Sequence, residues 1–267
     1  MKKYLSFFRM KFMAGIQYRI AAFAGIATQF AWGGMEILIY RSFYLENQDT
    51  FPMQMQALSS YIWLQQGFLA LFSVGMFENA IFQSITRGDV AYELCRPCDL
   101  YSMWYFRNIG MRLSRALLRC VPIFMVSVFI PEPYGLGLPV SFEAAILFFI
   151  AGTIGFLNVI AFVMIIYIST FYTLSMQGMR IFCIAIVETF SGSLIPIPFL
   201  PDGLRQVVEL LPFASLENVP LRIYGGDIAG MQALQAILLQ IFWLVVIVGI
   251  GRALMQKALK QVVVQGG

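Results

Sequence analysis

Six stretches of this chain, at about residues 20–40, 57–82, 109–130, 142–168, 174–195 and 231–251, stay apolar over the roughly 20 residues that cross a ~30 Å hydrocarbon layer. No other feature restricts the fold as much. A segment inside hydrocarbon has only its own backbone to satisfy its N–H and C=O groups, and so it must be helical. The expected fold is therefore all-α and integral to a membrane, a single transmembrane domain over residues 1–267 with six transmembrane helices. Composition agrees, with 60% of the 267 residues hydrophobic and 12% charged, far from the balance of a soluble domain. The windows at 109–130 and 174–195 are the least clean, because charges intrude on both.

Charge sets the orientation. With the N-terminus in the cytoplasm, Arg41, Arg205 and Arg222 fall outside and the other fifteen of the eighteen Lys and Arg residues fall inside. The positive-inside rule then predicts a multi-pass protein with both termini cytoplasmic. No small-residue cleavage site follows the basic start and no Asn-x-Ser/Thr acceptor occurs, so no signal peptide is expected and a bacterial inner (cytoplasmic) membrane fits. Residues 1–19 place Leu5, Phe8, Phe12 and Ile16 at steps of three and four, with Lys2, Lys3, Arg9 and Lys11 largely elsewhere. That pattern predicts an interfacial helix along the inner leaflet, the alternative being a simple extension of the first span.

Between the second and third windows the chain turns polar. Residues 83–108 hold Arg87, Asp89, Glu93, Arg96, Asp99 and Arg107, punctuated by Gly88 and Pro97. Asp89 is placed to cap a short helix ending at Leu94, the Arg96-Pro97 pair to end it, and Asp99 to cap the next helix. The stretch is too ordered for a plain linker and too small for a catalytic domain. It reads as a cytoplasmic docking element.

Charges inside the windows have two readings each. Arg112, Arg115 and Arg119 share one helix face, Arg119 lying roughly 10 Å deeper than Arg112 at 1.5 Å per residue. Such a face avoids lipid tails, either by snorkelling or pairing with Glu78, or by lining a polar inner vestibule. Glu36, Glu78 and Glu188 are either structural partners or part of a substrate path. Phe30, Trp32, Met164 and Phe190 offer substrate surface or ordinary packing. Pro122 predicts a kink in the third span.

The other distinctive stretch is residues 191–226, with Pro196, Pro198, Pro201, Pro212 and Pro220, yet strongly apolar. A solvated loop would be more polar. The pattern predicts a broken helix and a re-entrant helical hairpin (residues 203–211 and 215–223) in the outer leaflet, with protein covering its freed backbone groups. Cys95-Arg-Pro-Cys98 has redox-motif spacing. Without a βαβ context, a second such pair or any histidine, neither redox nor metal function is expected of it.

Together these features resemble the membrane subunits of ATP-binding-cassette exporters of the second type, the six-span permeases of bacterial drug, antibiotic and polysaccharide exporters. The resemblance covers the whole chain: interfacial helix, six spans, cytoplasmic coupling helix between spans two and three, short inner turn between spans four and five, and re-entrant Pro-rich hairpin before span six. Its most specific parts are Gly88 with Leu94-x-Arg96-Pro97, and Gly192…Pro196-x-Pro198-Phe199-x-Pro201…Leu211-Pro212-Phe213. The start, Lys3-Tyr4-Leu5 with Tyr18-Arg19, is similar to a bacterial subfamily whose members commonly occur as two different permeases with one ATPase.

What the resemblance implies is a half-transporter. Two permeases, a heterodimer rather than a homodimer, would form the pathway, and cytoplasmic nucleotide-binding ATPase subunits would dock on the element holding Gly88, Asp89, Leu94, Arg96, Pro97 and Asp99. The turn at residues 169–173 would touch them secondarily. ATP and Mg would be bound by the partner, with no cofactor in this chain and no nucleic-acid partner. The residues agree: a phosphate-cradling Walker loop needs Gly-Lys, and none of Lys2, Lys3, Lys11, Lys257 and Lys260 follows a glycine.

Two other function classes compete. An ion-coupled secondary transporter would use the intramembrane acids, but only the second half has a broken helix where two inverted halves would each need one. A membrane enzyme would need a nucleophile and base in reach of one another, and the acids are scattered over three windows.

Overall fold

The computed structural model describes residues 2–17, 19–173 and 176–260, and for residues 19–24 and 176 the backbone only. Tyr18 of the start signature and the first two residues of the window at 174–195 lie outside the described residues. Every element of regular structure among the described residues is helical. Besides two single 3-10 turns (Gln48–Thr50 and Ile197–Phe199), they are, in chain order, α1 (Lys2–Gln17), α2 (Arg19–Glu46), α3 (Met55–Phe72), α4 (Asn79–Arg87), α5 (Val90–Leu94), α6 (Leu100–Val128), α7 (Phe142–Ser169), α8 (Met176–Phe190), α9 (Asp202–Leu210), α10 (Asn218–Tyr224) and α11 (Gly230–Leu259). Two of them, α7 and α11, are long and apolar enough by themselves to cross a membrane.

Local signals explain where several helices begin. Ser141 accepts the Ala144 N–H at 3.0 Å to start α7, and Asp99 accepts the Ser102 N–H at 2.8 Å to start α6, as its spacing predicts. Asp89 differs: it precedes α5, but its side chain makes no capping bond. The turn before α5 is made instead by Gly88, whose φ of +79° a side-chain-bearing residue rarely adopts.

Helix α7 is the axis of the packing. Val159, Ile160, Val163, Met164 and Tyr167 on it are fully buried, and α3, α6, α10 and α11 lie against it. Helix α1 runs alongside α6 in the same direction. Lys3 reaches the Pro97 carbonyl, Tyr4 stacks on Phe106, and Gly110 lets the Phe8 carbonyl come so close that a Cβ there would lie 2.5 Å from it. The buried side of α1 carries Phe8, Phe12 and Ile16 as its periodicity predicts, but Leu5 faces outward, 60% exposed.

The windows and the helices do not share all their boundaries. The apolar window at 57–82 is broken: α3 stops at Phe72, residues 73–78 are irregular, and α4 starts anew at Asn79. Conversely, the polar residues 100–108 are not a separate unit but the first turns of α6, which runs unbroken through Pro122 to Val128. Helices α9 and α10 fall within a residue or three of the two segments read from the prolines.

Candidate functional site

The polar stretch folds into a surface knob and a chain of charges beneath it. Val90 buries its side chain, which seats α5, and the side of the knob facing away carries Gly88, Asp89, Tyr92, Leu94, Arg96, Pro97 and Asp99, all exposed. Tyr92 is 76% exposed, an unusual position for an aromatic ring unless something covers it. The sequence reading passed over Tyr92. The signal was present, since in a five-residue helix anchored by Val90 the position two residues on must face the other way. Arg96 lies over the Phe7 ring of α1 at 5.8 Å, so the knob also leans on the N-terminal helix.

Below the knob, Glu93 of α5 accepts from Trp104 Nε1 at 2.6 Å and from Arg107 Nη1 at 2.8 Å. The other end of the same guanidinium donates through Nη2 to Glu78 Oε1 at 2.6 Å, and Lys11 of α1 forms an ion pair with that same oxygen. Glu93, Arg107, Glu78 and Lys11 therefore tie α5, α6, the irregular link before α4, and α1 into one connected group. Burial pushes the Glu78 carboxyl up, but the hydrogen bonds and charges of Arg107 and Lys11 more than offset this and hold it below the usual carboxylate range. Tyr167 of α7 completes the group: its hydroxyl accepts the Glu78 N–H at 2.7 Å and donates to Asn108 Oδ1 at 3.2 Å. The turn after α7 joins as well, Phe171 stacking on Trp104 at 6.4 Å between centroids.

Of the three arginines read as one face, Arg112 separates from the others. It is wholly buried, and its guanidinium donates to the carbonyls of Leu71 at 3.1 Å, Ser73 at 2.8 Å and Met76 at 2.7 Å. It thus caps the C-terminal end of α3, where a helix leaves carbonyls without partners and carries partial negative charge. It neither snorkels nor pairs with Glu78, whose partners are Lys11 and Arg107 instead. Arg115 and Arg119 line a cavity of about 510 Å³ together with Lys11, Phe77 and Glu78.

At the opposite end, the backbone carbonyls before α9 and between α9 and α10 find side-chain partners. Tyr61 donates to the Gly192 carbonyl at 3.0 Å, Gln65 to Ser193 at 2.5 Å, and Gln240 to Ser215 at 2.9 Å. Pro196 and Pro198 are buried, while Phe199 packs against Tyr40 and, edge-on, Phe51, with ring centroids 4.9 and 5.0 Å away. Pro201 precedes α9 and Pro212 follows it, so each sits where a helix has to start or end. A second cavity, of about 670 Å³, lies between Glu36, Tyr40, Phe51, Leu194 and Phe199. Glu36 and Glu188 also come near Glu217, a wholly buried acid beside Ser191 and Ser193 that the sequence reading did not single out, because it sits in a loop with no periodicity to mark it. Met164 is a core residue, Trp32 points outward at 60% exposure, and Phe30 packs on Trp63, so these do not share a lining with Phe190. The four cysteines are free, and no group of metal-ligating side chains occurs among the described residues.

Among the described residues, long helices with extended apolar faces, a polar knob at one end and a hairpin at the other suit a membrane permease. The chain belongs to the ABC-2 family of transporters: the description "ABC-2 family transporter protein" matches residues 30–266. It is a transmembrane permease component, and the sequence resemblance to that class is correct. No curated protein matches the chain.

Proposed function

We propose that this permease is one half of an exporter driven by separate ATPase subunits, which dock on the surface of Gly88, Asp89, Tyr92, Leu94, Arg96, Pro97 and Asp99. The observation that carries this reading is the connection beneath that surface. A load on α5 is passed by Glu93 to Arg107 on α6, and by Glu78 to Lys11 on α1. Helices α1 and α6 then move together against α7, with Tyr167 as the contact between the two. The ATPase supplies ATP, Mg and hydrolysis, and this chain supplies the pathway with a second permease, a different one rather than a copy.

In this reading α2, α3, α6, α7, α8 and α11 are the six crossings, α1 lies along the inner leaflet, and both termini are cytoplasmic in a bacterial inner membrane. Helix α3, with 18 residues, is about 27 Å long and needs Arg112 at its inner end to make its depth tolerable. The described part of α8, with 15 residues, is about 22 Å long, and the hairpin that follows completes the outer side. Outward-facing side chains on α2 (Leu38, Phe43) and α11 (Leu238, Val245) support lipid or partner-permease contact there. Glu36, Glu188 and Glu217 are structural acids of the hairpin region. The ion-coupled alternative makes them proton carriers, and it requires transport in vesicles lacking any ATPase.

Cys95 sits exposed on the knob and serves as the probe. A variant keeping only this cysteine (Cys98→Ser, Cys120→Ser, Cys183→Ser) is labelled with a maleimide, alone and with the ATPase encoded alongside it. Protection of Cys95 by the ATPase is the expected result. An equal labelling rate with and without it contradicts the docking surface.

A further inference from the structure

We propose that the cavity between α1, α6 and residues 76–79 holds the phosphate of an anionic phospholipid from the inner leaflet. Arg115 and Arg119 stand one turn apart on α6 and both face this space of about 510 Å³. Among the described residues that line it, Glu78 is the one acid, and its charge is already taken by Lys11 and Arg107. Arg115 has one polar contact among the described residues, to the Met76 sulfur at 3.6 Å, and Arg119 has no ion pair there. Two half-buried guanidiniums side by side, without a counter-charge, are costly unless an anion lies between them. Their forked donors match phosphate oxygens.

The rest of the lining says what carries that anion. Ala14, Met76, Phe77, Met111 and Leu118 form apolar walls, which a hydrated ion would leave unused. The volume equals that of about seventeen waters at ~30 Å³ each, room for a headgroup rather than a bare ion. Further along the same face of α6, Val126 and Phe129 are exposed, an apolar track along which acyl chains continue from the site. Gly25 on α2 leaves room for Arg119, since a Cβ there would lie 3.1 Å from its guanidinium.

The leaflet assignment rests on the orientation given under the proposed function, but the site does not need the ATPase, and the test uses the purified permease alone. It is reconstituted in discs of phosphatidylcholine with or without phosphatidylglycerol, and the lipids retained after extraction are read by native mass spectrometry. Phosphatidylglycerol should be retained by the wild type, about tenfold less by Arg115→Gln/Arg119→Gln, and undiminished by Lys2→Gln/Arg9→Gln, which removes the same charge from the exposed side of α1. Equal retention of the two lipids by the wild type, or undiminished retention of phosphatidylglycerol by the Arg115→Gln/Arg119→Gln protein, would overturn the proposal. If that variant does not fold, the wild type decides alone. Inorganic phosphate, added to discs of pure phosphatidylcholine, should leave the thermal midpoint where it was while phosphatidylglycerol raises it. A rise with phosphate as large as that with the lipid assigns the site to a free anion and refutes the lipid.

Discussion

At the scale of single residues, the decisive feature is how few charges are left to themselves. Arg112 is spent on the carbonyls of α3, and Arg107 divides its guanidinium between Glu93 and Glu78. Because removing one member of such a buried pair strands the other, each is worth more than a surface salt bridge. Glu78 gives the pH dependence its sign. Its pKa is depressed in the fold, so its contribution to stability is complete above the unfolded carboxylate value of ~4.3 and is lost as pH falls through the lower, folded value. Glu78→Gln should lower the thermal midpoint of the purified protein at pH 7 by the equivalent of about 3–5 kcal/mol. The gap to wild type should stay constant down to about pH 5 and shrink below ~4.3. A gap that ignores acid would show that the charge of Glu78 does not hold this junction.

At the scale of elements, the same principle explains the hairpin. Helix α7 accepts it through Gly155, where a Cβ would stand 2.2 Å from the Leu216 carbonyl oxygen, and backbone on both sides leaves nothing free to yield. Gly155→Ala should therefore cost stability, about 1–3 kcal/mol or more, while Gly152→Ala, whose Cβ would meet nothing nearer than 3.9 Å, should be near neutral in the same thermal assay. Equal midpoints for the two variants would mean that the hairpin does not rest on α7 at Gly155. Prolines and a capping aspartate are local signals, which is why α9, α10 and the start of α6 could be read from the chain. The break after Phe72 could not. Residues 73–82 remain apolar enough to continue a span, and what ends α3 is Arg112, a residue about 40 positions later that brings its guanidinium to the exposed carbonyls. For the same reason Glu78 was visible as an acid but not its partners: Lys11 and Arg107 come from two other helices, and spacing along the chain says nothing of that. Tyr92 and Glu217 were missed differently, as residues whose importance lies in being exposed or buried against expectation.

At the scale of the whole molecule, the end with the knob and the end with the hairpin are built for different tasks. At the end that carries α9 and α10, Tyr61 and Gln65 tie the Gly192 and Ser193 carbonyls to α3 and Gln240 ties that of Ser215 to α11, which makes that end a fixed cover. At the end that carries the knob, ion pairs add to the packing that joins α5, α6 and α1, and ion pairs can shift as a unit when the knob is loaded. Family membership says that the chain is a permease, while the knob and the charges beneath it say where a motor would take hold. The most direct measurement is co-purification of the neighbouring ATPase with a Tyr92→Asp/Leu94→Asp permease, whose two changes lie on the exposed side of the knob and leave the Glu93–Arg107–Glu78 chain intact. Losing one aromatic anchor and one aliphatic one should reduce recovery of the ATPase at least about tenfold at unchanged permease yield. Recovery equal to wild type would contradict the claim that force enters this protein through α5.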